Sequence, residues 1–246
     1  MRITRQPARE NDASCDEAGS TELVVEGVDV DLGGRRVLED VSVRLTQHRI
    51  AVIGANGSGK STFARLLGGL VTPSRGTVRV HGLNVASELK RVRATVGFVF
   101  TNPDAQILMP TVAEDVRFSL RGTGMARPEI DTRVQAVLRE HGLDGHADAP
   151  AYSLSGGQKQ LLALAAVLVR DPRLLIADEP TTLLDLGNAR RVGDLLIEGT
   201  QAQTVIVTHD LDLALRCDIA LRFSEGRLHE VGDPAEVVRR YRAEFT

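Results

Sequence analysis

The most informative residues for chemistry are 54–61, which read Gly-Ala-Asn-Gly-Ser-Gly-Lys-Ser. One glycine, four further residues and then Gly-Lys-Ser is the spacing of a phosphate-binding loop. Glycines let the backbone curl so that successive N–H groups point at a phosphate chain, and the helix that follows aims its N-terminus at the same anion. The sequence therefore predicts nucleotide binding here. The predicted contacts are Gly54, Ala55, Asn56, Gly57, Ser58, Gly59, Lys60, Ser61 and Thr62.

Two adjacent carboxylates, Asp178 and Glu179, follow the apolar run Leu174–Ala177. At the carboxyl end of a buried parallel strand they would face the crevice in which such sheets bind ligands. We expect Asp178, with the Ser61 hydroxyl, to hold Mg²⁺, and Glu179 to orient and deprotonate an attacking water. The alternative is a solvated acidic strand end, which the nearby phosphate loop makes less favourable.

A second glycine-bearing helix start lies at 154–160, which read Leu-Ser-Gly-Gly-Gln-Lys-Gln. Two glycines would let backbone N–H groups approach an anion, and the Ser155 hydroxyl could donate to it. Ser155 and Gln158 have the spacing of a capping box. Taken in isolation, the residues favour an ordinary helix cap.

These residues need a framework of strands and helices. We predict strands at 23–30, 37–45, 50–53, 76–82, 96–100, 174–179, 205–208 and 219–223, and helices at 60–68, 87–93, 112–120, 127–141, 158–170, 187–197 and 231–242. The pattern predicts an α/β fold. Its parts are a P-loop NTPase core with a parallel sheet, an N-terminal antiparallel β subdomain and an inserted helical subdomain at about 102–165.

Composition narrows the possible functions. The 246 residues are 42% hydrophobic and 26% charged with a net charge of −3, which suits a soluble globular protein and gives no sign of nucleic-acid binding. The polar residues 1–21 lack the apolar segment of a signal peptide, and we predict a disordered tail followed by a single domain at 22–240. The longest apolar run, Leu161–Val169, is too short to cross a bilayer.

Two histidines, His141 and His146, lie near Asp144 and Asp148. Their spacing matches no established metal-ligand pattern. We therefore expect a solvated helix end and loop at this position.

Together, the phosphate loop, the 154–160 segment, Asp178-Glu179 and His209 resemble an ATP-binding-cassette (ABC) ATPase from about Leu23 to Asp233. The resemblance implies an ATPase that works as a head-to-tail homodimer. ATP on the loop of one subunit would be covered by Ser155, Gly156 and Gly157 of the other, and Asp185 would contact the dimer partner. His209 would contact the γ-phosphate, so the implied catalytic residues are Glu179, His209 and Lys60.

Residues 98–106 and 110–116 resemble more narrowly the ATPases of energy-coupling-factor (ECF) importers, most similar to the biotin type. Residues 49–53, Thr101 and 181–185 support that choice. The resemblance implies a peripheral protein on the cytoplasmic face of the cell membrane, with an integral coupling subunit and a substrate-binding membrane subunit as partners. The alternatives are an ECF ATPase for cobalt, nickel or another vitamin and, more distantly, an ABC ATPase without a transport role.

Two positions depart from the family pattern. Thr101 stands where most ABC ATPases carry a glutamine that helps to ligate Mg²⁺, and we expect water to fill the gap left by the shorter side chain. The aromatic residue that usually stacks on adenine is absent near 28–32, where Val28, Val30 and Leu32 stand. Loose nucleotide selectivity is the expected consequence.

Overall fold

Ten strands and eight α-helices make up the computed structural model, which describes residues 21–245. The predicted tail, except for its last residue, lies outside the described residues. The strands are β1 Leu23–Leu32, β2 Arg35–Leu45, β3 Arg49–Gly54, β4 Arg75–Val80, β5 Leu83–Asn84, β6 Val96–Val99, β7 Leu174–Asp178, β8 Gln203–Val207, β9 Ile219–Ser224 and β10 Arg227–Gly232. The helices are α1 Lys60–Leu67, α2 Leu89–Thr95, α3 Val112–Ser119, α4 Arg127–Glu140, α5 Gly156–Leu168, α6 Leu186–Ile197, α7 Leu211–Ala214 and α8 Pro234–Ala243.

The larger sheet positions the residues that the sequence predicts to be functional. It has six strands in the order β10-β9-β3-β8-β7-β6, and all neighbouring pairs are parallel except β10 with β9. Every residue of β3, β7 and β8 is buried, as expected for central strands covered on both faces. The phosphate loop follows β3, Asp178 ends β7 and His209 lies just after β8, so all three meet at the same edge of the sheet.

The smaller sheet is antiparallel, with the order β2-β1-β4-β5. It shares a hydrophobic core with α1 and one face of the large sheet, and the helices on the other face form a second core. Strand β7 shows the division, because Leu174 and Ile176 pack into the first core and Leu175 and Ala177 into the second.

Helices α3, α4 and α5 occupy the chain between β6 and β7. Over this stretch of the described chain, the β structure consists of one isolated bridge, Thr111 with Pro150. The predicted fold class, an α/β core with an antiparallel β part and inserted helices, is confirmed. The division into a single domain at 22–240, with 102–165 as a separate subdomain, remains a prediction.

The predicted helix at 231–242 is wrong at its beginning. Residues Arg227–Gly232 form β10, and α8 begins only at Pro234, where Asp233 accepts hydrogen bonds from the N–H groups of residues 235 and 236. The turn before β10 has Glu225 at φ 49° and Gly226 at φ 79°. Two consecutive positive φ angles are typical of a tight β-hairpin, and Glu-Gly is a weak sequence signal for one.

The expected solvated helix end at His141 is also wrong. This side chain is fully buried, and its Nδ1 atom lies 2.8 Å from the carbonyl oxygen of Val137. Burial lowers the pKa of His141 and favours the neutral ring. Among residues 21–245, no helix is long and apolar enough to cross a membrane.

Candidate active site

The phosphate loop joins β3 to α1 through three glycines with positive φ angles, at 141° for Gly54, 78° for Gly57 and 104° for Gly59. Packing adds a second requirement. A Cβ atom at Gly54 would lie 2.2 Å from the carbonyl oxygen of Phe223, and one at Gly59 would lie 2.6 Å from Cδ2 of Leu38. Any side chain at these two positions would therefore displace the loop.

Lys60, the first residue of α1, bonds back to the beginning of the phosphate loop. Its Nζ donates to the carbonyl oxygens of Gly54 at 2.7 Å and Ala55 at 3.0 Å. Burial lowers the pKa of Lys60, and the nearby carboxylates of Glu179 and Asp178 oppose that shift. The loop thus holds a buried cation at its centre, which suits a polyanionic ligand.

Ser58 gives an independent indication of a ligand. Its Oγ atom is buried and has no hydrogen-bond partner within the described chain. Buried polar atoms in proteins are almost always paired, so an orphaned hydroxyl at the centre of a phosphate loop fits a site that a ligand completes.

Ser61 and Asp178 meet as the sequence predicts. The Ser61 Oγ donates to Asp178 Oδ1 at 2.8 Å, and the guanidinium of Arg65 lies 3.9 Å from Oδ2. The Asp178 side chain is only 1% exposed, and burial raises its pKa despite the Ser61 hydrogen bond. A hydroxyl and a buried carboxylate are the oxygen donors that Mg²⁺ prefers, so these residues fit the metal that the fold implies.

Glu179 adopts a strained backbone conformation with φ 54°. Its N–H donates to the carbonyl oxygen of Val207 at 2.9 Å, which ties the end of β7 to the end of β8. Its Oε2 atom lies 2.6 Å from His209 Nδ1 and 3.3 Å from the hydroxyl of Thr182. A carboxylate with an orienting imidazole has the geometry of a general base and its positioning group.

A cavity of about 220 Å³ covers the loop. Its lining consists of Val37, Asn56, Gly57, Ser58, Gly59, Lys60, Ser61, Thr62 and Glu179. Most of the predicted phosphate contacts and the predicted base therefore share one cavity. Ser155, Gly156 and Gly157 are not among the residues that line it, so one copy of the described chain does not bring them to its own loop.

The segment at 154–160 begins α5 with the capping box that the residues predict. Ser155 Oγ accepts from the N–H of Gln158 at 3.4 Å, and the side-chain oxygen of Gln158 accepts from the N–H of Ser155 at 2.9 Å. The nucleotide contact from a second copy remains a prediction.

Asn188, which the sequence reasoning missed, connects this segment to Asp185. Asp185 caps α6 by accepting from the Asn188 N–H at 2.9 Å and from Asn188 Nδ2 at 2.6 Å. The backbone bond and then the side-chain bond lower the pKa of Asp185. A Cβ atom at Gly157 would lie 2.3 Å from Cγ of Asn188. Asn188 thus links the two predicted dimer-contact elements within one chain. An amide three residues after a capping aspartate was the available signal.

The chain is similar to known transport ATPases over most of its length. Residues 38–182 match the ABC transporter family. The chain is 44% identical over 217 residues to the biotin transport ATP-binding protein BioM of Rhizobium etli, covering 88% of this chain and 96% of that one. It is 39% identical over 208 residues to the energy-coupling factor transporter ATP-binding protein EcfA1 of Lacticaseibacillus paracasei, covering 82% of this chain and 75% of the relative.

Solved structures agree with the fold. CbiO1 of Clostridium perfringens, part of the ABC transporter complex CbiONQ, superimposes with a TM-score of 0.80 at 32% identity over 90% of this chain and 92% of that chain. An ATP-binding cassette in a dimeric post-hydrolysis state, bound to ADP and Pi, gives a TM-score of 0.75 at 27% identity over 86% and 98% of the two chains. The chain belongs to the ABC transporter family and is an ATPase of the energy-coupling-factor type.

Proposed function

We propose that this chain is the ATP-hydrolysing subunit of an energy-coupling-factor importer that takes up biotin. The proposal of ATP hydrolysis rests on the convergence of Ser61, Asp178 and Glu179 beside the phosphate loop. The observation that favours biotin is the 44% identity to BioM over 96% of that protein.

In this proposal the loop N–H groups and Lys60 bind the phosphate chain of ATP. Ser61 and Asp178 would hold Mg²⁺, which when bound supplies positive charge that offsets the charge developing on the phosphate oxygens. Glu179 orients the attacking water and accepts its proton. His209 holds the Glu179 carboxylate in place through the 2.6 Å contact at Nδ1.

The cover over ATP comes from a second copy of the chain. Ser155, Gly156 and Gly157 of that copy would contact the phosphates, and Asp185 would contact the dimer partner. The absence of these three residues from the lining of the loop cavity supports an arrangement of two chains. The dimeric cassette bound to ADP and Pi shows that similar proteins pair in this state.

A membrane partner would bind a groove beside α3. The groove has a volume of about 300 Å³ and is lined by Asp104, Ile107, Leu108, Met109, Pro110, Ala151 and Tyr152. Leu108 is 63% exposed and Tyr152 is 80% exposed, so this groove offers two large side chains for contact with a partner. We assign this groove to the integral coupling subunit, which would hold the ATPase at the cytoplasmic face of the membrane and connect it to the substrate-binding subunit.

The competing function is an importer of cobalt, nickel or another vitamin. The likeness to EcfA1, whose name states no substrate, keeps this alternative open, and its lower identity of 39% against 44% for BioM makes it second. Uptake of labelled biotin, Co²⁺ and Ni²⁺ by cells that carry or lack the gene separates these possibilities. Biotin uptake that does not depend on the gene would contradict the assignment of substrate.

Hydrolysis is tested with the purified chain, by phosphate release from ATP in the presence of Mg²⁺. We expect Glu179→Gln to lose at least about 100-fold in kcat, since removal of a general base typically costs that much, and to keep nucleotide binding. Glu198→Gln is the control, because Glu198 lies on the surface in an ion pair with Arg216. Co-purification of small multi-span proteins from detergent-solubilised membranes tests the partners. Recovery of only ribosomes or DNA would contradict the transport role.

A further inference from the structure

A second cavity, of about 740 Å³, adjoins the cavity over the phosphate loop. The two share Val37, Asn56, Gly57 and Ser58 as lining residues, so they lie side by side. If the phosphate chain lies over Lys60, as the proposed function requires, this larger cavity is where the base and sugar of the nucleotide extend. The role of the larger cavity therefore rests on the proposed function.

The larger cavity has no aromatic wall. Its remaining lining residues are Arg35, Arg36, Ala55, Ser224, Glu225 and Gly226. Val28 and Val30 are fully buried in the core and cannot reach a ligand. Phe223 is also buried, against Phe63 with ring centroids 5.0 Å apart. A base in this cavity would therefore meet two guanidinium groups and a carboxylate.

Arg36 is fixed from one side. Its Nε lies 3.2 Å from Oδ1 of Asp31, and its Nη1 lies 3.5 Å from Oδ2 of Asp29, whose own side chain is 6% exposed. Half of the Arg36 side chain remains exposed at the cavity. A guanidinium that is held along one edge is a flat, oriented surface, and nucleobases stack on guanidinium planes as they do on aromatic rings.

We propose that Arg36 is the stacking surface for the nucleobase, that Arg35 and Glu225 contact its polar edge, and that the subunit consequently accepts GTP as well as ATP. Stacking does not distinguish between purines, because every base has a π-face. Arginine donates well to the O6 and N7 atoms of guanine, and a carboxylate accepts from base N–H groups. These three side chains therefore provide no group that rejects guanine.

Equilibrium binding tests this inference without requiring turnover. Fluorescent methylanthraniloyl derivatives of ADP and GDP are titrated into the purified full-length chain. We expect dissociation constants that agree within about 5-fold, and a loss of about 10-fold for both nucleotides in Arg36→Ala, in the range of a cation–π contact. Arg36→Lys should not restore binding, because an ammonium group has no planar face.

Arg44→Ala is the matched control. Arg44 lies on the same strand, β2, and forms ion pairs with Glu22 at 3.5 Å and Glu26 at 2.7 Å, but it does not line the cavity. Circular dichroism verifies that each variant is folded.

Two results would overturn the inference. One is GDP binding more than 100-fold weaker than ADP, and the other is unchanged affinity in Arg36→Ala. Loss of phosphate release with every nucleotide would instead count against the proposed function, and the binding experiment would still decide the role of Arg36.

Discussion

The hydroxyl of Thr101 donates a hydrogen bond to the main-chain carbonyl of Asp178 at 2.9 Å. Thr101 follows β6 and Asp178 ends β7, and these are neighbouring parallel strands. The bond therefore fixes the strand end that carries both Asp178 and Glu179. The expectation that water fills a gap beside the shorter threonine stays a prediction, but the hydroxyl itself contacts the main chain at the end of β7.

Replacement of Thr101 by valine keeps the shape of the side chain and removes this bond. A neutral hydrogen bond contributes about 1 kcal/mol, so we expect a decrease in kcat of about 5-fold in phosphate-release assays. Thr101→Ser retains the donor and should remain close to the native rate. An unchanged kcat in Thr101→Val would show that the bond does not position the carboxylates.

His209→Ala removes the group that orients the Glu179 carboxylate. We expect kcat to fall by about 100-fold, since a misplaced general base loses most of its contribution. Steady-state kinetics with ATP and Mg²⁺ measure the effect. His229→Ala, at an exposed histidine on β10, is the control. Equal rates in the two variants would contradict the role of the contact between His209 and Glu179.

Gly156 and Gly157 should respond differently to alanine. A Cβ atom at Gly156 meets nothing within 4 Å, whereas one at Gly157 would overlap Asn188. We expect Gly157→Ala to lower the free energy of unfolding by about 1–3 kcal/mol, and Gly156→Ala to change it by less than about 0.5 kcal/mol. Urea unfolding of the nucleotide-free chain measures both. Equal stability of the two variants would show that α5 and α6 are free to separate here.

The free energy of unfolding should decrease below about pH 6.5, which is the ordinary pKa of a histidine side chain. Burial lowers the pKa of both His81 and His141, so the unfolded chain binds more protons than the folded chain below that pH. The stabilisation is present above the unfolded pKa and is lost as the pH falls toward the lower folded pKa, with a slope of up to about 1.4 kcal/mol per pH unit for each ring.

Urea unfolding at several pH values between 7 and 5 measures this dependence. His141→Phe should remove about half of it, because one of the two histidines no longer takes up a proton when the chain unfolds. His229→Gln, at an exposed ring, should leave the slope unchanged. The explanation fails if His141→Phe keeps the full slope.

Local sequence was sufficient for much of the site. The spacing of Gly54, Gly57, Gly59 and Lys60 predicted a curled loop, and the apolar run before Asp178 predicted a buried strand that ends in carboxylates. Both features depend on neighbours in the chain, which is why pattern and propensity predict them. The hairpin formed by β9 and β10 was not predicted, because Glu225-Gly226 resembles many other loop dipeptides. Only the pairing of β10 with β9 defines this hairpin.

The sequence by itself determined the phosphate loop, the acidic strand end, the helix cap at Ser155 and the α/β class. Only the tertiary structure decided that Asn188 packs on Gly157, that Thr101 bonds to Asp178 and that Arg36 lines the cavity next to the phosphate loop. Each of these features brings together residues from different elements of the fold. Their geometry depends on strand order and helix packing, which no local pattern of residues specifies.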